Sequence, residues 1–135
     1  MAIHRIGILI SGRGSNMEAI IDAAHDGRIS ANVALAISNV ESAAGLEKAK
    51  AHGVEALFVN HKGRTRQEHD ADLVREFRLR EVSTICLAGY MRLVSPVLLE
   101  AFRNRVLNIH PSLLPAFPGL DAQKQALQYG VKVSG

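Results

Sequence analysis

Short apolar runs of strand length alternate along this chain with stretches in which apolar residues recur at helical spacing. Residues 5–10 form the first run, and Ser11-Gly12-Arg13-Gly14-Ser15-Asn16 breaks it. Met17, Ile20, Ile21 and Ala24 then fall at i, i+3, i+4 and i+7, one face of a helix, and Gly27 follows where a helix C-terminus favours positive φ. The same logic predicts strands over 33–37, 54–59, 84–88 and 106–109, and helices over 43–52 and 66–80. In the 66–80 helix Leu73, Val74 and Phe77 face inward, with the charges on the other side. Ser95 and Pro96 are placed as N-cap and first residue of a further helix, buried through Leu98, Ala101 and Phe102. Asp121 is expected to cap a last short helix over 122–129. Strands alternating with helices, with no linker or repeat, predict an α/β fold: one domain over 1–135, a doubly wound, mostly parallel sheet with helices on both faces.

Composition narrows the function classes. The chain has 135 residues, 47% of them hydrophobic, enough for one real core. Sixteen Lys and Arg against thirteen Asp and Glu leave a net charge of +3, and the charges are interspersed rather than clustered. Aromatic residues make up 4% and tryptophan is absent, a poor supply for stacking on single-stranded nucleic acid. Small anionic ligands fit this balance better than a nucleic-acid partner. The lone Cys86 rules out an internal disulfide framework and a thiolate zinc cluster, and its apolar neighbours predict a buried structural thiol. No apolar run has the length of a membrane span and no signal peptide precedes the first strand, so a cytoplasmic protein without a membrane partner is expected.

In a doubly wound sheet, ligands gather outside the carboxyl ends of the strands. Three unusual segments follow strands there: 11–16, 89–94 and 108–115. In the first, Gly12 and Gly14 let backbone approach a ligand, and a helix starting near Met17 would aim free N–H groups and a positive dipole end at an anion such as phosphate. A tight glycine turn with Ser15 or Asn16 as a simple N-cap is the structural alternative. The segment lacks the third glycine of a dinucleotide fingerprint and the Gly-Lys-Ser/Thr of a nucleotide-triphosphate loop. In the third, Asn108 and His110 lie two residues apart at the end of a strand, so both can face one cleft, and Pro111 stiffens the pair. A donor beside a proton shuttle suits a reaction that builds negative charge on a carbonyl oxygen. A strand ending in a satisfied histidine is the plainer alternative. The remaining histidines (His4, His25, His52, His61, His69) show no ligand spacing and are expected at the surface, and no metal is implied.

Ile-Ser-Gly-Arg-Gly-Ser-Asn after the first strand, Leu-Ala-Gly-Tyr-Met-Arg-Leu-Val-Ser-Pro after the fourth and Asn-Ile-His-Pro-Ser-Leu-Leu-Pro after the fifth together resemble the folate-dependent phosphoribosylglycinamide formyltransferase family. The resemblance runs in register from Ile6 to the last residue, and the first loop distinguishes this family from other formyltransferases. It implies a Rossmann-like formyltransferase fold and transfer of a formyl group from 10-formyltetrahydrofolate, as co-substrate, to 5-phosphoribosylglycinamide in purine biosynthesis. By the same resemblance Gly14, Ser15 and Asn16 would contact the ribonucleotide phosphate, and Arg66, Met91, Arg92, Leu93 and Val94 would line the folate site. Asn108 would hold the formyl oxygen beside the folate, and His110 would be the catalytic imidazole, with Ser112 supporting its turn. An exposed arginine at a helix start would also explain Arg66.

The family's chain continues through further strands carrying an aspartate partner of the histidine. This sequence is therefore expected to be the amino-terminal portion, catalytically weak or inactive alone, with Asp121 a helix cap rather than that partner. The resemblance allows a homodimer. Two other readings are open: a formyltransferase for another acceptor or a formyltetrahydrofolate deformylase, and a non-catalytic fragment that binds a phosphate ligand.

Overall fold

Apolar β-strand segments that cannot bury both faces alone are covered here by helices threaded between them. The computed structural model describes residues 4–109. Its elements are β1 (His4–Ile10), α1 (Ser15–His25), β2 (Ala31–Ser38), α2 (Ala44–Ala51), β3 (Ala56–Phe58), α3 (Arg66–Leu79), β4 (Thr84–Ala88), α4 (Pro96–Ala101) and β5 (Val106–Ile109). The strands pair in parallel as one sheet in the order β3-β2-β1-β4-β5. The chain builds outward from β1 to β3, then crosses back to start again on the other side of β1. The direction of winding therefore reverses between β1 and β4, where a doubly wound sheet opens a crevice.

Strand β1 shows that both faces are covered. A side chain at Gly7 would lie 2.3 Å from the Phe77 ring of α3, whereas Ile10 reaches Gly45 of α2 on the opposite face. Residues 7 and 10 differ in parity, so α2 and α3 pack on opposite sides of the sheet. Helix α1 packs with α2, and α3 with α4. Ile8, Leu9 and Ile10 are fully buried in the middle of the sheet. Cys86 is buried with them, and desolvation pushes its thiol up to about 12, which makes it an inert core group.

The elements expected from the sequence are all present over the described residues, with shifted ends. Strand β3 has only three ladder residues, because it is the sheet's edge and is held further by single bonds, Ala36 N–H to Glu55 O and Val59 N–H to Ser38 O. The β1–β2 register slips between Ile6 and Gly7, leaving Ala34 as an extra residue in β2. Asp121 and the helix expected over 122–129 lie outside the described residues.

Candidate functional site

The crevice between β1 and β4 is bordered by the loop after each strand. Ser11 directly follows β1 with its side chain buried, donating its hydroxyl proton to Asn39 Oδ1 at 2.6 Å. Ser11 Oγ in turn accepts the backbone N–H of Met91 at 2.8 Å, so the loop after β1 is tied directly to the loop after β4. Ser11 opens the unusual segment 11–16, whereas Asn39 does not stand out from the sequence alone. Asn39 follows β2 at the sheet's carboxyl edge, which is the one signal that could have marked it.

The loop after β1 differs from expectation in its details. Helix α1 begins at Ser15, not near Met17, and its N-cap is Gly14 in the left-handed region (φ 76, ψ 24). Gly14 is buried, and a Cβ there would sit 2.9 Å from Gly45 Cα, so this glycine answers to packing against α2. Gly12 has open space where a Cβ would point. No side chain caps α1, which corrects the reading of Ser15 or Asn16 as N-cap: Ser15 is exposed and Asn16 half-buried. Among the described residues, the first-turn N–H groups of α1 therefore have no side-chain acceptor at the rim.

The loop after β4 presents apolar side chains to solvent. Met91 is 84% exposed and Leu93 70%, while Val94 is half-buried against the core. Arg92 is half-buried and donates weakly from Nη2 to Arg64 O at 3.5 Å, which draws the segment before α3 toward this loop. Arg64 is itself ion-paired with Asp72. Arg66, the first residue of α3, is exposed next to that segment. Asn108 sits in β5 opposite Leu87 of β4, exposed between buried Leu107 and Ile109. His110 and Ser112 lie outside the described residues.

Beneath the loop after β4 is a buried polar cluster that departs from the surface placement expected of His69. His69 and Asp70 are both 0% exposed. The inward stripe of α3 runs His69, Asp70, Leu73, Val74, Phe77, so it begins a turn earlier than its apolar residues suggest. That His-Asp pair lies three to four residues before Leu73, and this spacing was the available signal. His69 Nε2 lies 3.0 Å from Val59 O, and desolvation holds the ring's pKa below its ordinary value. Asp70 Oδ2 accepts the backbone N–H of Ser95 at 2.5 Å. Burial, with the nearby Asp70 charge, pushes the Tyr90 phenol well above its usual range. Among the other histidines, His4 and His25 are exposed, and His52 and His61 are half-buried. Among the described residues, no group of three or more His, Cys, Asp or Glu could hold a metal ion, and no helix is long and apolar enough to cross a membrane.

Comparison with known proteins places this arrangement in a family. The formyl transferase family model matches residues 4–135. The chain is 47% identical over 134 residues to the trifunctional purine biosynthetic protein adenosine-3 of Drosophila melanogaster, covering 97% of this chain and 10% of that protein. It is 39% identical over 134 residues to the phosphoribosylglycinamide formyltransferase of Bacillus subtilis (strain 168), covering 98% of this chain and 69% of that protein. The crystal structure of glycinamide ribonucleotide transformylase 1 from Symbiobacterium toebii superposes with a TM-score of 0.79 at 53% identity, covering 98% of this chain and 63% of that one. The chain thus spans a tenth of the trifunctional relative and 63% of the solved one. Sequence motifs, parallel sheet and crevice agree with these likenesses, and the chain belongs to the formyl transferase family, among its phosphoribosylglycinamide formyltransferases.

Proposed function

We propose that this protein transfers the formyl group of 10-formyltetrahydrofolate to the amine of 5-phosphoribosylglycinamide. The observation that carries the reading is the pairing of two unlike loops at the reversal of the sheet, joined by the Met91 N–H bond to Ser11. One offers an uncapped helix start to a phosphate, through Ser15, Asn16 and the N–H groups around Gly14. The other offers exposed Met91 and Leu93, with Arg92 and Val94, to a planar apolar body such as a pterin. Arg66 is exposed at the start of α3, two residues after the Arg64 carbonyl that Arg92 reaches, and supplies a cation for the acidic end of the folate.

The amine attacks the formyl carbon, forming the new C–N bond and an oxyanion. Asn108 donates to that oxygen, and His110, protonated, does the same. Collapse breaks the bond to folate N10; His110 gives its proton to that nitrogen and then takes the attacking amine's proton, which restores the imidazolium. Neither a metal nor a covalent enzyme intermediate is needed for this route.

The test is titration calorimetry on this chain and a turnover assay on it together with a separately supplied carboxyl-terminal segment of a relative. The ribonucleotide and 5-formyltetrahydrofolate, a folate that does not transfer its group here, should each bind. Formylated ribonucleotide should form only when 10-formyltetrahydrofolate and the ribonucleotide are both present. Release of free formate without the ribonucleotide would instead identify a deformylase. Binding of the ribonucleotide with no response to any folate would identify a phosphate-ligand binder.

A further inference from the structure

The segment 91–94 is held at both ends by buried side chains from elsewhere in the fold. Ser11 Oγ takes the Met91 N–H at 2.8 Å, and Asp70 Oδ2 takes the Ser95 N–H at 2.5 Å. Between these points the backbone N–H groups of Arg92 and Leu93 make no hydrogen bond among the described residues, and Met91 and Leu93 are exposed. Asp70 is an expensive residue to place where it is. It is fully buried, its other oxygen Oδ1 has no hydrogen-bond partner among the described residues, and the cationic candidate beside it there is His69 Nδ1 at 3.9 Å. The Val59 carbonyl fixes the proton of His69 on Nε2, which makes Nδ1 an acceptor when the ring is neutral. Two acceptors thus face each other in a dry site. Among the described residues, the buried side-chain donors left without partners, Tyr90 OH and Arg92 Nε, both belong to the loop that Asp70 holds. An apolar residue on this stripe of α3 would be less costly, so the carboxylate has a purpose beyond packing.

We propose that Asp70 is a positioning residue for formyl transfer: its buried carboxylate fixes the Ser95 end of the 91–94 segment, as Ser11 fixes the Met91 end, so that the folate meets a preset surface. The inference rests on reading that segment as the folate site. Preorganisation of this kind lowers the cost of ordering a loop on binding and therefore acts on affinity for the ligand that the loop touches. Ser11 serves both loops, whereas Asp70 serves one, so their substitutions differ in which substrate they affect.

The experiment compares the full chain with Asp70→Ala, Asp70→Asn and Ser11→Ala. It measures KM for each substrate, kcat, and calorimetric binding of 5-formyltetrahydrofolate and of the ribonucleotide. Asp70→Ala should weaken the folate about tenfold and leave the ribonucleotide within about twofold. Asp70→Asn keeps an oxygen for Ser95 N–H and should recover most of that loss, whereas Ser11→Ala should weaken both substrates. Amide hydrogen exchange on the unmodified chain gives a measure that does not depend on any variant folding. Met91 and Ser95 should exchange about a hundredfold more slowly than Arg92 and Leu93. Equal exchange across 91–95, equal weakening of both substrates by Asp70→Ala, or unchanged folate binding would each overturn the proposal. If the unmodified chain itself binds the ribonucleotide but not the folate, the reading of the loop fails, and this inference with it.

Discussion

Glycines two positions apart in the loop after β1 have different reasons to be glycine. Gly14 needs positive φ and lies against the backbone of Gly45, while Gly12 faces open space. A side chain at Gly14 therefore tests the fold, not the phosphate: Gly14→Ala should cost about 2–4 kcal/mol in urea denaturation. Gly12→Val should leave the denaturation midpoint nearly unchanged while raising KM for the ribonucleotide more than KM for the folate. Equal effects on both would remove the loop from the ribonucleotide site. For His110, alanine should lower kcat by about a hundredfold or more with ribonucleotide binding retained, because a group in this role acts on the reacting atoms and not on the phosphate. Near-normal kcat would end that assignment. Gly14, Ser15 and Asn16 were legible as a group from their order in the chain. The reason for Gly14 was not, since Gly45 is remote in sequence and only the fold brings the two backbones together. His69 and Asp70 were misread for a related reason: polarity argues for solvent, and only their place on the inward stripe of α3 overrides it.

Among the elements, those with local punctuation matched the sequence best. Ser95 caps α4 by accepting Val97 N–H, with Pro96 as the first helical residue, as the sequence order predicts. Helix α3 begins at Arg66 behind Thr65, whose hydroxyl accepts Glu68 N–H while the Glu68 carboxylate accepts Thr65 N–H. Thr65→Ala removes half of this reciprocal cap and should destabilise the protein by about 1 kcal/mol, read as a lower urea midpoint. A larger loss would show that Thr65 does more than cap. Helix α1 was misplaced by a turn's fraction because its start depends on a left-handed glycine, not on a capping side chain. Strand β3 is shorter than its apolar run because an edge strand keeps only the pairs its single neighbour supplies.

At the scale of the whole molecule, the buried His69 should make stability depend on pH. Its folded pKa lies below the ordinary 6.5, chiefly through desolvation, so the unfolded chain takes up the proton more readily. The contribution is complete above 6.5 and is lost as the pH falls below it toward the folded value. His69→Gln keeps a donor for Val59 O but does not titrate, so its urea midpoint should fall less than that of the unmodified chain between about pH 7 and pH 5. Parallel slopes would show that other groups dominate acid unfolding. The sequence by itself determined the alternation of strands and helices, their approximate ends and the loops that carry unusual residues. These follow from apolar spacing, capping and glycine chemistry, all of which act over a few residues. Only the tertiary structure decided that β1 and β4 are neighbours at the reversal of the sheet, that Ser11 ties one loop to the other, and that Asp70 holds Ser95 from beneath. Strand order and buried polar contacts join residues 25 to 80 positions apart, and their energy comes from desolvation and packing that no local pattern records.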